Sequence, residues 1–129
     1  MTANAAQDTP RTPALTSAEA QAILKPALAD LVSALGKPAQ LDVSSLRVSG
    51  EWAFLYASIQ TPGGQPIDYK DTPFAEAAEA GMKSRAYAAL LRGQATGWKL
   101  VTSSVGPTDV AWQPWAAEYG APAAIFEVP

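Results

Sequence analysis

Three aromatic residues near the C-terminus, Trp112, Trp115 and Tyr119, stand at i, i+3 and i+7, the spacing of one helix face. Asp109 lies one turn earlier. Such a group could form an aromatic platform with a carboxylate beside it, able to stack a sugar, a ring-bearing ligand or a partner's side chain. The same spacing also suits rings that dock a short terminal helix onto the rest of the fold. Pro114 falls between the two tryptophans and fits only the first turn of a helix. Trp115 is therefore expected to be buried, and Trp112 to be partly exposed beside Asp109.

A second group is Asp68-Tyr69, which would lie near Trp52 and Tyr56 if the strands around them pair. A buried carboxylate with a raised pKa can take a proton from a carbon next to a carbonyl. The plainer reading is a turn-forming aspartate followed by an edge aromatic. Asp71, Glu76, Glu79 and Glu118 are scattered acids, and Glu76 and Glu79 share a helix face. No loop offers calcium its alternating oxygen ligands, so they read as a solvated surface.

Much chemistry is ruled out by composition. The chain has 129 residues, no Cys and no His. That removes thiol nucleophiles, disulfides, His-based triads and zinc sites built on Cys or His. Nine Lys and Arg against twelve Asp and Glu give a net charge of -3, with no basic patch for nucleic acid. Gly63-Gly64 lacks the strand–glycine–helix context of a phosphate loop. No apolar run approaches the roughly 18 residues that span a bilayer. No metal, cofactor or catalytic residue is assigned.

The elements that must position these residues follow from patterning. The length allows one domain. Residues 1–15 are small, polar and Pro-containing, and are expected to form a flexible tail; residues 16–129 form the domain. Ala3-Asn4-Ala5 has the form of a signal-peptidase site without the apolar segment that should precede it. Thr16-Ser17-Ala18-Glu19 reads as a capping box, with Thr16 as the cap. Ile23, Leu24, Leu28, Leu31, Val32 and Leu35 then predict a helix over 17–35, closed by Gly36 and kinked at Pro26. Leu41 and Val43 alternate, and Leu46 and Val48 alternate in the other phase, so a bulge is expected at Ser44-Ser45. The segment from Trp52 to Ile59 is apolar in both phases and predicts a strand covered on both faces. Ile67–Tyr69 suggests a short strand, and Thr72-Pro73 opens a short helix near 73–80. Strands follow at 85–92 and 98–102 around a Gly-rich hairpin loop, then a short helix at 114–119, after which Pro122 should forbid a restart. The fold class is α+β, one long N-terminal helix on a curved antiparallel sheet of about four strands.

The leading helix, together with Glu51-Trp52-Ala53-Phe54, Tyr87-Ala88-Ala89-Leu90-Leu91-Arg92 and Gly97-Trp98-Lys99-Leu100-Val101, resembles small exported bacterial proteins of the cystatin-like and nuclear-transport-factor-like superfold. The resemblance covers about residues 16–105. It implies a pocket between the helix and the sheet, in which related enzymes use an Asp or Tyr as acid or base. Most proteins of this kind have no assigned activity, and fold alone does not fix function. The leading expectation is a non-enzymatic binding or interaction module for an unknown protein or small-molecule ligand, exported to the periplasm or beyond and otherwise cytoplasmic. The alternatives are a small-molecule enzyme using Asp68, Asp109 or a Tyr, and a structural homodimer that pairs its sheets.

Overall fold

A computed structural model describes residues 10–95, 97–108 and 110–126. Asp109 and the Ala3-Asn4-Ala5 motif lie outside the described residues. The elements run α1 (Ala18–Leu35), β1 (Gln40–Ser49), β2 (Trp52–Gln60), α2 (Ala75–Glu79), β3 (Ala86–Gln94), β4 (Gly97–Val105) and α3 (Trp115–Tyr119), then a 3-10 turn at Ala123–Phe126. All strand pairs are antiparallel, and the spatial order β1-β2-β3-β4 is that of the chain. The α+β class and the four-stranded sheet are as the patterning predicts.

The central strands β2 and β3 carry apolar side chains in both phases, so each face of the sheet needs a cover. Ala53, Leu55, Ala57, Ile59, Tyr87, Ala89 and Leu91 point to the side of α1. Helix α1 meets them with Ala20, Ile23, Ala27, Leu31 and Leu35, each one turn from the next. Its N-cap is Ser17, whose Oγ accepts from the Ala20 N–H at 3.1 Å. The cap is thus one residue later than expected, because Glu19 turns to Arg11 instead of closing a capping box. The helix continues through Pro26 and ends on Gly36, whose φ of 75° is left-handed. It lies chiefly against β4 and β3. Leu24 and Leu28 therefore fall beside the main contact and are only half-buried.

Trp52, Phe54, Ala88 and Leu90 point to the opposite face, where they meet Trp112, Trp115, Ala121 and Ile125. Phe54 is the hub, with ring centroids 5.7 Å from Trp112, 6.2 Å from Trp115 and 4.9 Å from Phe126. Pro122 does not stop the chain from coiling again, since a proline is tolerated where a helical turn starts. The 3-10 turn that follows it brings Ile125 into this layer. The protein is a helix, a sheet and an aromatic C-terminal segment in three layers.

Two smaller expectations are modified. The bulge in β1 lies between Val43 and Ser45, as the phase slip implies. Residues 67–69, however, form an extended segment joined to β2 by a bridge from Pro66 to Gln60 and an Ile67 N–H to Ile59 C=O bond. The expected tail is tied down at Arg11. Its N–H donates to the Val48 C=O and its C=O accepts from the Val48 N–H, both at 2.8 Å. Its guanidinium pairs with Glu19 and, chiefly through that hydrogen bond, holds the carboxyl below its usual range. This exposed pair contributes at most about 1 kcal/mol. The contribution is present above the ordinary Glu pKa and is lost as pH falls through the lower folded value.

The core assignments are checked by truncation. Trp112→Ala and Trp115→Ala should each lower stability by roughly 3–5 kcal/mol, as for other buried aromatics. Leu31→Ala should cost roughly 2–5 kcal/mol, and Leu28→Ala clearly less. Denaturant melts of the four variants measure all of this, and a Trp112 variant as stable as the parent would refute the shared aromatic core.

Candidate functional site

The segment joining β2 to β3 carries Asp68-Tyr69 and is held by a series of local bonds. Thr61 closes a turn by accepting from the Gly64 N–H at 2.9 Å. The Asp68 Oδ1 accepts from the Lys70 N–H at 2.9 Å, the expected aspartate turn. The Thr72 hydroxyl donates to the Tyr69 C=O and accepts from the Phe74 N–H, which leads into α2. The Lys37 Nζ, just beyond α1, donates to the Asp68 and Lys70 carbonyls at 2.6 and 3.0 Å. The Arg85 Nε donates to the Ile67 C=O at 2.7 Å.

Tyr69 is a core residue and not an edge aromatic. It is 5% exposed, packs edge-on to Phe74 and donates its O–H to the Ser84 C=O. Burial pushes this hydroxyl above its usual range, while the nearby Arg85 charge acts the other way. Gly106 lets the chain pass close by. A Cβ there would sit 2.8 Å from the Ser84 C=O oxygen and 2.9 Å from the Tyr69 hydroxyl, at a φ of 67°.

Between this segment and α2 lies a hollow of about 450 Å³, lined by Asp68, Tyr69, Lys70, Ala75, Ala78, Glu79 and Arg85. Two cations and two carboxylates thus border one concavity. The ion pairs among the described residues are Arg11–Glu19 and Arg92–Glu51, so the four charges at the hollow are not paired with one another. No group of His, Cys, Asp and Glu among the described residues could hold a metal ion. None of the helices among them is long and apolar enough to cross a membrane.

The other candidates are dispersed. Trp52 and Tyr56 are on the sheet face opposite Tyr69, so the expected neighbourhood of these residues does not form. Trp52 is in the aromatic layer, with the Arg92 guanidinium 4.9 Å from its ring centroid. Tyr56 is half-buried, edge-on to Trp112 at 5.2 Å. Trp112 is 7% exposed and Trp115 is 6% exposed. The expected contrast between them is therefore corrected: the long return from β4 lays both rings over Phe54. Tyr119 is exposed on the outer side of α3. With both tryptophans committed to the core, no Trp–Trp–Tyr platform faces solvent.

One polar cluster escaped the sequence reading. The Tyr87 hydroxyl, fully buried, donates to the Asp30 Oδ2 at 2.8 Å and lies 3.2 Å from the Ala27 C=O oxygen. The Ser103 Oγ donates to the same Asp30 oxygen at 2.6 Å. Burial, then the bond to Asp30 and its charge, push the Tyr87 hydroxyl far above the usual phenol range; Ser103 opposes this. The available signal was Asp30 at the margin of the apolar stripe of α1, where a carboxylate needs partners. The part of the helix–sheet space over β2, β3 and β4 is occupied by this cluster and by Ile23, Ala27, Leu31, Leu55 and Leu91, so the opening that remains is on the β1 side of α1.

The chain matches no protein-family model, no curated protein and no solved structure.

Both tyrosines predict an alkaline limit. Their folded pKa values are raised, so stability is intact below the ordinary phenol value of about 10 and is lost as pH rises above it. Melts across that range should show the fall, and Tyr87→Phe should flatten most of it while costing roughly 1.5–3 kcal/mol at neutral pH, because the lost bond is to a carboxylate. Gly106→Ala should destabilise by roughly 1–3 kcal/mol through overpacking, read from the same melts.

Proposed function

We propose that this protein is a binding module, not an enzyme, and that the hollow beside α2 accepts a small ligand bearing both a positive and a negative charge. The observation that carries the reading is the set of charges around it. Arg85 and Lys70 can receive a carboxylate, and Asp68 and Glu79 an ammonium group. The guanidinium is fixed through its Nε, leaving its remaining N–H groups for a ligand. The Lys37 bonds hold the backbone beneath Asp68 and Lys70. A volume of about 450 Å³ falls in the range of small-molecule sites.

An acid–base role for Asp68 and Tyr69 has less support. The Tyr69 proton is committed to the Ser84 C=O, and one Asp68 oxygen to its own turn. Membership of the nuclear-transport-factor-like superfold belongs to the same proposal. The order of helix and sheet agrees with it; the space under α1 toward β2, β3 and β4 is filled, and the opening between helix and sheet is the groove of about 440 Å³ between α1 and β1.

The test is calorimetric titration with free α-amino acids, with acetate and methylammonium as single-charge controls. Amino acids are expected to bind, and each control at least about tenfold more weakly, since a hydrogen bond to a charged group is worth roughly 1.5–3 kcal/mol. Lys70→Gln and Glu79→Gln should each weaken binding by a similar factor without moving the melting temperature. Absence of any amino-acid binding at millimolar concentration would overturn the reading.

A further inference from the structure

We propose that the outer edge of β1 is a self-pairing surface, for which residues 10–14 of the chain and β1 of a second copy compete. The strand reads Leu41-Asp42-Val43-Ser44-Ser45-Leu46-Arg47-Val48. Reversed, it repeats its own pattern with the charges exchanged. Two copies set antiparallel about a two-fold axis between Ser44 and Ser45 place Leu41 opposite Val48 and Val43 opposite Leu46. They also place Asp42 opposite Arg47, and each pairing occurs twice. Directly opposite residues of antiparallel strands share a face and interact. A two-fold contact of this kind closes on itself.

The bulge makes the pattern usable. Without the extra residue between Val43 and Ser45, the two halves of the strand would put their apolar residues on opposite faces. With it, Leu41, Val43, Leu46 and Val48 all belong to the helix-side layer. Asp42 and Arg47 then share the other side, and neither is in an ion pair among the described residues. The outward direction of the backbone is visible at Val48, whose N–H and C=O both turn away from β2 to Arg11.

The surroundings fit a second copy. Because α1 lies chiefly against β4 and β3, a groove of about 440 Å³ is left between it and β1, lined by Leu24, Leu28 and Leu41 with Gln21, Lys25 and Gln40. Joining two β1 edges makes the apolar rows of the two copies continuous next to this groove. The other edge strand, β4, carries Lys99 as its sole charged residue and offers no opposite charge to a second β4. Both sheet faces are covered by the chain itself, so pairing runs through an edge and not a face.

Arg11 sits where Leu41 of a second copy would bind, and it is held by two backbone bonds and one exposed ion pair. An unprotected edge invites uncontrolled pairing. The Arg11 strap therefore competes with a second copy for the Val48 end of the edge and weakens self-association.

The test is sedimentation equilibrium of the full chain from micromolar to near-millimolar concentration. Arg11→Pro removes the N–H that donates to Val48 and should tighten the dimer roughly threefold to tenfold; Glu19→Gln, which keeps the backbone, should tighten it less. Asp42→Arg and Arg47→Asp each create two like-charge pairs and should each leave the chain monomeric. An equimolar mixture of those two restores both opposite-charge pairs and should dimerise. Melting curves confirm that each variant is folded. The proposal is overturned if wild type, Arg11→Pro and Glu19→Gln all stay monomeric. It is equally overturned by a dimer that survives both single reversals, or by a mixture of the two that stays monomeric.

Discussion

The constraint on which this structure depends is the double apolar face of β2 and β3. A strand that is apolar in both phases cannot be half-exposed, so it must be central and covered twice. The chain answers with α1 on one side and the C-terminal aromatic segment on the other. Small residues set how closely each cover approaches. Ala20 and Ala27 sit in the buried stripe of α1 among larger Ile and Leu, and Ala88 lies under the aromatic layer.

That constraint also decides where chemistry is available. Rings that could have recognised a ligand are used as a cover. The buried hydroxyls of Tyr69 and Tyr87 have carbonyl or carboxylate acceptors, as buried polar groups must. The Asp30–Tyr87–Ser103 cluster joins α1, β3 and β4, and so fixes the helix over one half of the sheet. The groove beside β1 is the consequence, because a helix seated over β3 and β4 cannot also cover β1 fully. Unpaired charges collect where the chain leaves the layers, on the segment between β2 and β3.

The edges of the sheet carry the remaining freedom. On β1, one inserted residue aligns two apolar halves on one face and leaves two opposite charges on the other. A short return of the chain at Arg11 occupies part of that edge. The proposed ligand hollow and the proposed self-pairing edge are separate places in the fold, since one lies on the β2–β3 segment and the other on β1.

Local patterning was enough to give the α+β class, the four strands, the phase slip in β1 and the end of α1 at Gly36. Each of these depends on near neighbours: side-chain period, turn chemistry and capping. The absence of Cys and His likewise removed whole classes of chemistry before any folding argument. What the tertiary structure decided were the partners across the chain. Trp112 and Trp115 have the same spacing whether they face solvent or Phe54, and only the path of the chain after β4 selects Phe54. Asp68 and Tyr69 are adjacent in sequence but opposite in fate, one exposed at the hollow and the other buried against Ser84, because an extended segment alternates its sides. Asp30, Tyr87 and Ser103 are separated by 57 and 73 positions counted from Asp30, and no local rule joins residues so far apart. The register of the sheet and the placement of the helix bring them together.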